Sequence, residues 1–315
     1  MNNPMLSVLV LTYHPQKEAL FATLKSAVWQ KDCDFELIIC DDGSPDFFEP
    51  EIRAFLDGCG CSYQIIAHKE NQGTVKNILD GVCAAQGNYI KPISPGDLFF
   101  DAYTLGDTVA FMEKHGAKAA FGNLLYYNCN EDLQVHNLAN PCLSQLYRAD
   151  RPYHSRRVAK HQIVFNDLLC GAAGIYERDA FLQALQTISP VVRYAEDIVF
   201  QLFAAQGVRI YKIDRHMVWY EYGSGISTGK KEKVFTRVEE DFYRFYPYFA
   251  TLFPQDPYPR RAIRIWEARK NGSALQNLLL KLRPDRMLFT LRTRLQKRKM
   301  TIAPYSTEFF HNCYR

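Results

Sequence analysis

Three features of the sequence predict an α/β fold with a mostly parallel central sheet and flanking helices. Short runs of aliphatic and β-branched residues alternate with segments of helical periodicity through the first half of the chain. The runs are nearly uninterrupted in their apolar character, as strands buried on both faces are. Three of them end in polar, turn-forming clusters, at the edge where ligands lie in open α/β sheets.

The first strand is Leu6-Ser7-Val8-Leu9-Val10-Leu11, which stops at Thr12-Tyr13-His14-Pro15. Leu20, Leu24 and Val28, with Phe21 and Ala27, mark a crossover helix. Glu36-Leu37-Ile38-Ile39-Cys40 forms the second strand, closed by Asp41-Asp42-Gly43-Ser44-Pro45. Tyr63 to Ala67 reads as a strand, Val75, Ile78, Leu79, Val82 and Cys83 share a helical face, and Asn88 to Ile93 is a strand ending at Ser94-Pro95-Gly96-Asp97. Ala119 to Tyr127 is a further strand, whereas Asn128 to Asn166 has no sustained period and is expected to be mainly loop.

Order returns at Gly171-Ala172-Ala173-Gly174-Ile175-Tyr176. A helix follows from about Arg178, and a second begins near Ala195-Glu196-Asp197 with Ile198, Val199, Leu202 and Phe203 on its buried face. Val208 to Ile213 and Met217 to Tyr220 are expected as two late strands. Beyond Gly229 the composition turns to Lys, Arg and aromatic residues at helical spacing, broken by Pro254, Pro257, Pro259 and Pro284. The expected division is a catalytic domain over 1–229 and a helical C-terminal extension over 230–315.

With 315 residues, 47% hydrophobic and 23% charged, the chain has globular composition, which excludes disordered, collagenous and coiled-coil classes. No stretch approaches the ~20 apolar residues that cross a bilayer, and the first apolar run is too short for a secretory signal. A cytoplasmic location is expected. The nine cysteines contain no CxxC pair and read as reduced thiols. Charge is unevenly distributed: 1–229 holds 19 Lys and Arg against 26 Asp and Glu, and 230–315 holds 19 against 8. An acidic body thus carries a basic tail.

The first turn lacks the glycines that bring backbone against a dinucleotide pyrophosphate, and neither a P-loop nor a GxSxG elbow occurs. Instead, Thr12-Tyr13, Asp41-Asp42-Gly43-Ser44 and Ser94-Pro95-Gly96-Asp97 bring polar groups from three strands to one rim. Taken singly, each strand-end Asp is as well explained as a turn or helix cap.

Together with Asn71-Gln72-Gly73-Thr74-Val75-Lys76-Asn77, Gly87-Asn88-Tyr89-Ile90-Lys91, Ala195-Glu196-Asp197 and Gly225-Ile226-Ser227, these segments resemble, in order and spacing, family 2 glycosyltransferases of the bacterial surface-polysaccharide type. The resemblance spans about residues 5 to 229 and implies a Rossmann-like GT-A fold. It also implies an enzyme moving a sugar from a nucleotide-diphosphate donor to a hydroxyl of a glycan or lipid-linked saccharide, with inversion.

Such a reaction must hold the nucleotide, neutralise the departing diphosphate and deprotonate the acceptor. The resemblance gives the nucleoside to Thr12, Tyr13, Asp41 and Asp42. A carboxylate accepting from a pyrimidine N–H favours a UDP- or dTDP-sugar. Asn71, Gly73, Lys76 and Asn77 open a helix that would face the donor, and Ser94 and Gly96 line the same edge. Asp97 would hold Mg²⁺ or Mn²⁺. Here the chain departs from the family's run of two or three acids, since Asp97 is the only carboxylate among Ser94, Gly96 and Asp97.

Asp197 is the expected base, beside Glu196, with the dipole of the helix it opens keeping it ionised. Gly171 and Gly174 are expected on the acceptor side, where small residues permit close approach. The basic stretch Arg151, His154, Arg156, Arg157, Lys160 and His161 is equally readable as an acceptor-side site or a solvated loop.

Residues 274–300 set Leu, Met and Phe among Lys and Arg at helical spacing, a pattern that suits an anionic membrane surface on the inner face of the cell membrane. Packing on the body and a dimer contact suit it too. No nucleic-acid motif is present. Two other functions remain open from the sequence: an inert nucleotide-sugar-binding scaffold, and a sugar nucleotidyltransferase.

Overall fold

The computed structural model describes residues 5–128, 134–136, 143–222, 232–299 and 305–315. Gly225-Ile226-Ser227 lies outside these residues. In chain order the elements are β1 (Leu6–Thr12), α1 (Lys17–Val28), β2 (Phe35–Asp41), α2 (Glu49–Cys59), β3 (Tyr63–Ala67), α3 (Thr74–Ala84), β4 (Tyr89–Ile93), β5 (Leu98–Phe99) and α4 (Thr104–His115). There follow β6 (Ala119–Asn128), β7 (Gln134–His136), α5 (Ser155–Ala159), β8 (Gly174–Glu177), α6 (Arg178–Ile188), α7 (Val199–Ala205) and β9 (Ile210–Glu221). The chain closes with α8 (Glu232–Leu252), α9 (Pro257–Asn271), α10 (Ala274–Lys281), α11 (Pro284–Lys299) and α12 (Glu308–Tyr314).

The sheet order is β3-β2-β1-β4-β8-β6-β9-β5, with β7 paired to β6. Strands β1 to β4 are mutually parallel, β8 runs against β4 and β6, and β9 is parallel to β6. The chain steps outward from β1 through β2 to β3, then returns to place β4 on the other side of β1. In open α/β sheets such a reversal marks the ligand edge, and Thr12 and the Ser94–Asp97 turn lie at the carboxyl ends of β1 and β4 there.

The expected strands and crossover helices of the first half form because their apolar runs have both faces to bury: Leu6, Val8, Leu9 and Val10 of β1 and Leu37, Ile38, Ile39 and Cys40 of β2 are fully buried. On α1, Leu20, Leu24 and Ala27 face this core. The same helix presents Thr23, whose hydroxyl donates to the Asp97 carbonyl at 2.8 Å and receives the Gly96 N–H at 3.1 Å. The turn that carries Asp97 is therefore fixed by α1.

Two expectations are corrected. The segment from 143 to 166 is largely helical: Ser144–Tyr147 forms a 3₁₀ turn and α5 continues as one π turn over Lys160–Val164. Its buried residues, Val158, Ala159, Ile163 and Val164, recur at intervals of five, so a search at 3.6 residues does not find them. The two late strands are one, β9, because polar Asp214-Arg215-His216 sits where the register slips against Phe121 and Asn123 of β6.

Helices α8, α9 and α12 are packed on the body, and α11 joins it through Phe289. Phe242, Phe245, Tyr246 and Phe249 of α8 join the main core, and Phe242 stacks on Trp266 of α9 at 5.0 Å. Arg156 pairs with Asp256 and Lys160 with Asp285, so these members of the basic stretch face the tail. Phe310 and Cys313 of α12 are buried against Trp219 and Tyr127. The seven described cysteines are free. Among the described residues, no helix is long and apolar enough to cross a membrane.

Candidate active site

At the end of β1, Thr12 is buried, its carbonyl receives the Asp42 N–H at 2.9 Å, and its hydroxyl has no hydrogen-bond partner among the described residues. Tyr13 is half exposed beside it and packs edge-on to His14. Asp41 accepts the Ser44 N–H at 2.7 Å and the Ser44 hydroxyl at 2.6 Å, so both its oxygens close the turn after β2. Asp42 accepts the N–H groups of Gln72 at 2.7 Å and Gly73 at 2.9 Å, and lies 3.2 Å from His68 Nδ1.

Asp42 thus organises the entry to α3. Gly73, at φ +95°, adopts a conformation that favours glycine, and a Cβ there would collide with Arg193. Arg193 in turn donates to the Asn71 carbonyl at 2.8 Å, while its own carbonyl receives the Val75 N–H. Asn77 is buried and donates to the Cys40 carbonyl at 2.9 Å, leaving its Oδ1 without a partner. Lys76 pairs with Asp80, which also holds His68 Nε2 at 2.9 Å. Of the helix residues assigned to the donor, Lys76 and Asn77 are therefore engaged by α3 and β2.

Around Asp97 the surroundings are dense. Its Oδ1 accepts the Glu221 N–H at 3.1 Å, and the Glu221 carboxylate lies against Gly96 so closely that a Cβ on that glycine would clash with it. Ser94 is exposed, and its carbonyl receives the Asp97 N–H. The Gly96 carbonyl receives the hydroxyl of Tyr127, which also meets the Tyr314 hydroxyl of α12 at 2.8 Å.

Lys91, one of the largest fully buried side chains, points from β4 into the same region and donates to the carbonyls of Pro92 and Ala172, each at 2.7 Å. Burial pushes the Asp97 carboxyl up to about 8, offset in part by the Glu221 N–H and by Lys91, while burial pushes Lys91 down to about 7.

Through Ala172, Lys91 ties Asp97 to the Gly171–Gly174 segment. A Cβ on Gly171 would collide with Asp197 Oδ1, so the absence of a side chain there is what admits the carboxylate. A Cβ on Gly174 would meet the Tyr176 hydroxyl. Cys170, half-buried next to this turn, has its thiol pushed up first by burial and then by Asp197, Asp97 and Glu196 together. Carboxylates from two turns remote in sequence thus act on one side chain.

Glu196 and Asp197 occupy a 3₁₀ turn, Glu196–Ile198, that leads into α7. Each retains some exposed surface, but Asp197 Oδ1 is buried without a hydrogen-bond partner among the described residues. Contrary to the expected effect of a helix dipole, burial raises the Asp197 carboxyl well above its ordinary range, and the Glu196 charge adds to this. Glu196 itself is pushed up to about 7 by burial, with Asp241 contributing in the same direction.

Sequence reading did not single out Lys91 or Asp241. Asp241, buried in α8, accepts the N–H groups of Arg193 at 3.1 Å, Tyr194 at 2.6 Å and Ala195 at 2.9 Å. It fixes the strand of backbone that presents the Glu196–Asp197 pair. The only sequence signal for it was an acid within an aromatic, basic helix.

Among the described residues, no group of three or more His, Cys, Asp or Glu stands together as a metal cage. The donor set among the described residues is Asp97 with Glu221, two hard carboxylates, the second of whose charge acts on the first. Such a pair fits a divalent ion of the Mg²⁺ type, which binds through one or two carboxylates and completes its shell with substrate phosphate and water.

A family model described as Glycosyl transferase family 2 matches residues 7–181. Among solved structures the chain is similar to S. aureus TarS 1-349 in complex with UDP-GlcNAc, at 16% identity and a TM-score of 0.55, over 93% of this chain and 80% of that one. It is similar to S. aureus TarS 1-349 in complex with UDP at 16% identity and a TM-score of 0.52, over 90% and 76%. At these identities the likeness is one of fold. No curated protein matches the chain by sequence.

Proposed function

The chain belongs to glycosyl transferase family 2, and from that premise we propose that this glycosyltransferase inverts the anomeric centre of a UDP- or dTDP-sugar. The receiving group is a hydroxyl of a glycan or lipid-linked saccharide of the bacterial cell surface. The observation that carries the reading is Asp197 Oδ1, buried against Gly171 with no side-chain partner among the described residues, beside a Cys170 thiol on which Asp97 also acts. An unsatisfied carboxylate oxygen at a sheet's ligand edge is suited to a hydroxyl donor that arrives with substrate.

In this reading the acceptor oxygen bonds to the anomeric carbon as the bond from that carbon to the diphosphate breaks. The acceptor proton passes to Asp197, and the nucleoside diphosphate leaves. Glu196 raises the basicity of Asp197 by its charge. Thr12, Tyr13 and the Asp42 turn hold the nucleoside, with Asn71 and Gly73 beside it, and Ser94 and Gly96 shape the diphosphate edge. Asp97, with Glu221, would hold Mg²⁺ or Mn²⁺, which would supply positive charge against the diphosphate. Gly171 and Gly174 border the acceptor. The unit 1–229 carries the donor side, and residues 230–315 form the extension. Helices α10 and α11 rest on the inner face of the cell membrane.

The test is a donor screen against purified protein with and without EDTA, reading melting temperature and nucleoside diphosphate release, followed by NMR of the product's anomeric configuration. Release of UDP or dTDP with an inverted linkage is expected. Release of pyrophosphate, or a retained configuration, would overturn the reading.

A further inference from the structure

A cavity of about 140 Å³ lies between α9, α10 and α11, lined by Val164, Phe165, Ile265 and Leu280 and by the cations Arg269, Lys281, Arg283 and Arg286. Its charge is unbalanced. Asp285 is shared by Lys160, Arg261 and Arg283, at 3.2, 2.6 and 3.0 Å. Among the described residues, Arg269 and Lys281 enter no ion pair with a carboxylate, and Arg269 only packs over Trp266. Arg286 donates to the Phe165 carbonyl at 2.6 Å and stacks over Phe289. After burial, the neighbouring Arg269 and Arg283 charges depress Arg286, while Asp167 and Asp285 draw it back only in part. An apolar floor under crowded guanidinium and ammonium groups attracts a phosphate, to which Arg presents a planar fork and Lys a point charge.

The surroundings select the source of that phosphate. Helix α10, which supplies Leu280 and Lys281, has no buried residue. Leu275, Leu278, Leu279 and Leu282 are 50 to 65% exposed, and Met287, Leu288 and Leu291 of α11 continue the apolar surface at similar exposure. Exposed leucines beside a cationic cavity match the layering of a membrane interface, with acyl chains next to phosphate.

We infer that the α9–α10–α11 cavity is a binding site for the phosphate of an anionic lipid headgroup, with the leucines of α10 entering the acyl layer beside it. The inference rests on the membrane-facing reading of the tail and narrows it to one cavity.

The test is co-sedimentation of the full chain with phosphatidylcholine vesicles, with and without phosphatidylglycerol, at two salt concentrations, with inorganic phosphate as a soluble probe. The full chain is expected to bind only the anionic vesicles and to be released by salt. Arg269→Gln with Lys281→Gln is expected to weaken binding about 10- to 30-fold at ~1 kcal/mol per cation. Lys281→Gln alone, at an exposed helix end, serves as a second variant if the double one melts early. Leu278→Ser with Leu282→Ser is expected to weaken binding without changing its salt dependence. Equal binding by wild type and cation variants would overturn the cavity and leave the membrane reading standing. Absence of vesicle binding by the wild type would overturn both, and stabilisation by inorganic phosphate without vesicle binding would overturn the lipid as its source. Sugar transfer to a soluble acceptor should be unchanged throughout, which separates this result from the catalytic reading.

Discussion

The carboxylate of Asp241 receives the backbone N–H of Ala195 at 2.9 Å, so a helix of the C-terminal extension holds the residue immediately before the Glu196–Asp197 pair. The N–H groups of Arg193 and Tyr194 converge on the same carboxylate. Replacement by alanine strands three donors, each costing ~1–3 kcal/mol if it stays buried. Asp241→Ala is expected to lower the melting temperature and to reduce kcat about 10- to 100-fold, the scale of a small misplacement of a catalytic group. Asp241→Asn, which keeps an acceptor oxygen, should recover part of the rate. Calorimetry and steady-state kinetics with separate kcat and donor KM check this, and an unchanged kcat would count against the positioning role.

Asp197→Asn removes the proposed base while keeping its shape. Transfer is expected to fall about 10²- to 10⁴-fold with donor affinity retained, measured by nucleoside diphosphate release and by donor-induced thermal shift. Stability should move the other way. Both carboxylates are raised in the folded protein, which therefore binds more protons than the unfolded chain from the ordinary carboxylate range up to about 7. Stability falls as pH rises through that window. The variant, lacking one of the two charges, is expected to melt higher than wild type at pH 8 and nearly alike at pH 5.

A base works only after losing its proton, and burial with the Glu196 charge raises Asp197 well above the ordinary carboxylate range, so transfer is expected to decline as pH drops through that raised range. A pH profile of kcat tests this, and Glu196→Gln should move the acid limb to lower pH by removing a neighbouring negative charge. A profile flat from pH 5 to 8 would exclude the pair from proton removal.

Gly171→Ala places a methyl group where Asp197 Oδ1 lies. The backbone there has no need of a positive φ, so the effect is one of collision. kcat is expected to fall about 10-fold or more with little change in melting temperature.

Asp97→Ala is expected to abolish the EDTA-sensitive part of the donor-induced thermal shift. Glu221→Gln, which keeps an oxygen ligand, should weaken it partially. A shift indifferent to Asp97→Ala would remove that carboxylate from the metal site.

Strands β1 and β2 were legible because parallel strands buried on both faces leave nearly uninterrupted apolar runs, of which Val8-Leu9-Val10 is the plainest. Helix α2 left little trace, since only Ile52 and Leu56 are buried on it. The candidate site was legible where a residue's type suggests chemistry, as for the carboxylates Asp97 and Asp197. It was opaque where chemistry depends on remote neighbours: Lys91 reads as one polar residue in a strand, and only the fold brings it to Ala172. The direction of the Asp197 shift was missed for the same reason. A short 3₁₀ turn supplies little dipole, and burial, joined by the Glu196 charge, outweighs the opposing pull of the Gly171 N–H.

Tyr127 joins the Gly96 carbonyl to Tyr314, as Asp241 joins α8 to the turn before Glu196. The turn that carries Asp97 and the turn that carries Asp197 are therefore buttressed by two different helices after Glu221, α12 and α8. Surgery on the distal chain would act as a pair of independent dials: Tyr314→Phe is expected to loosen the turn at Gly96, and Asp241→Ala the backbone before Glu196, each without altering the other.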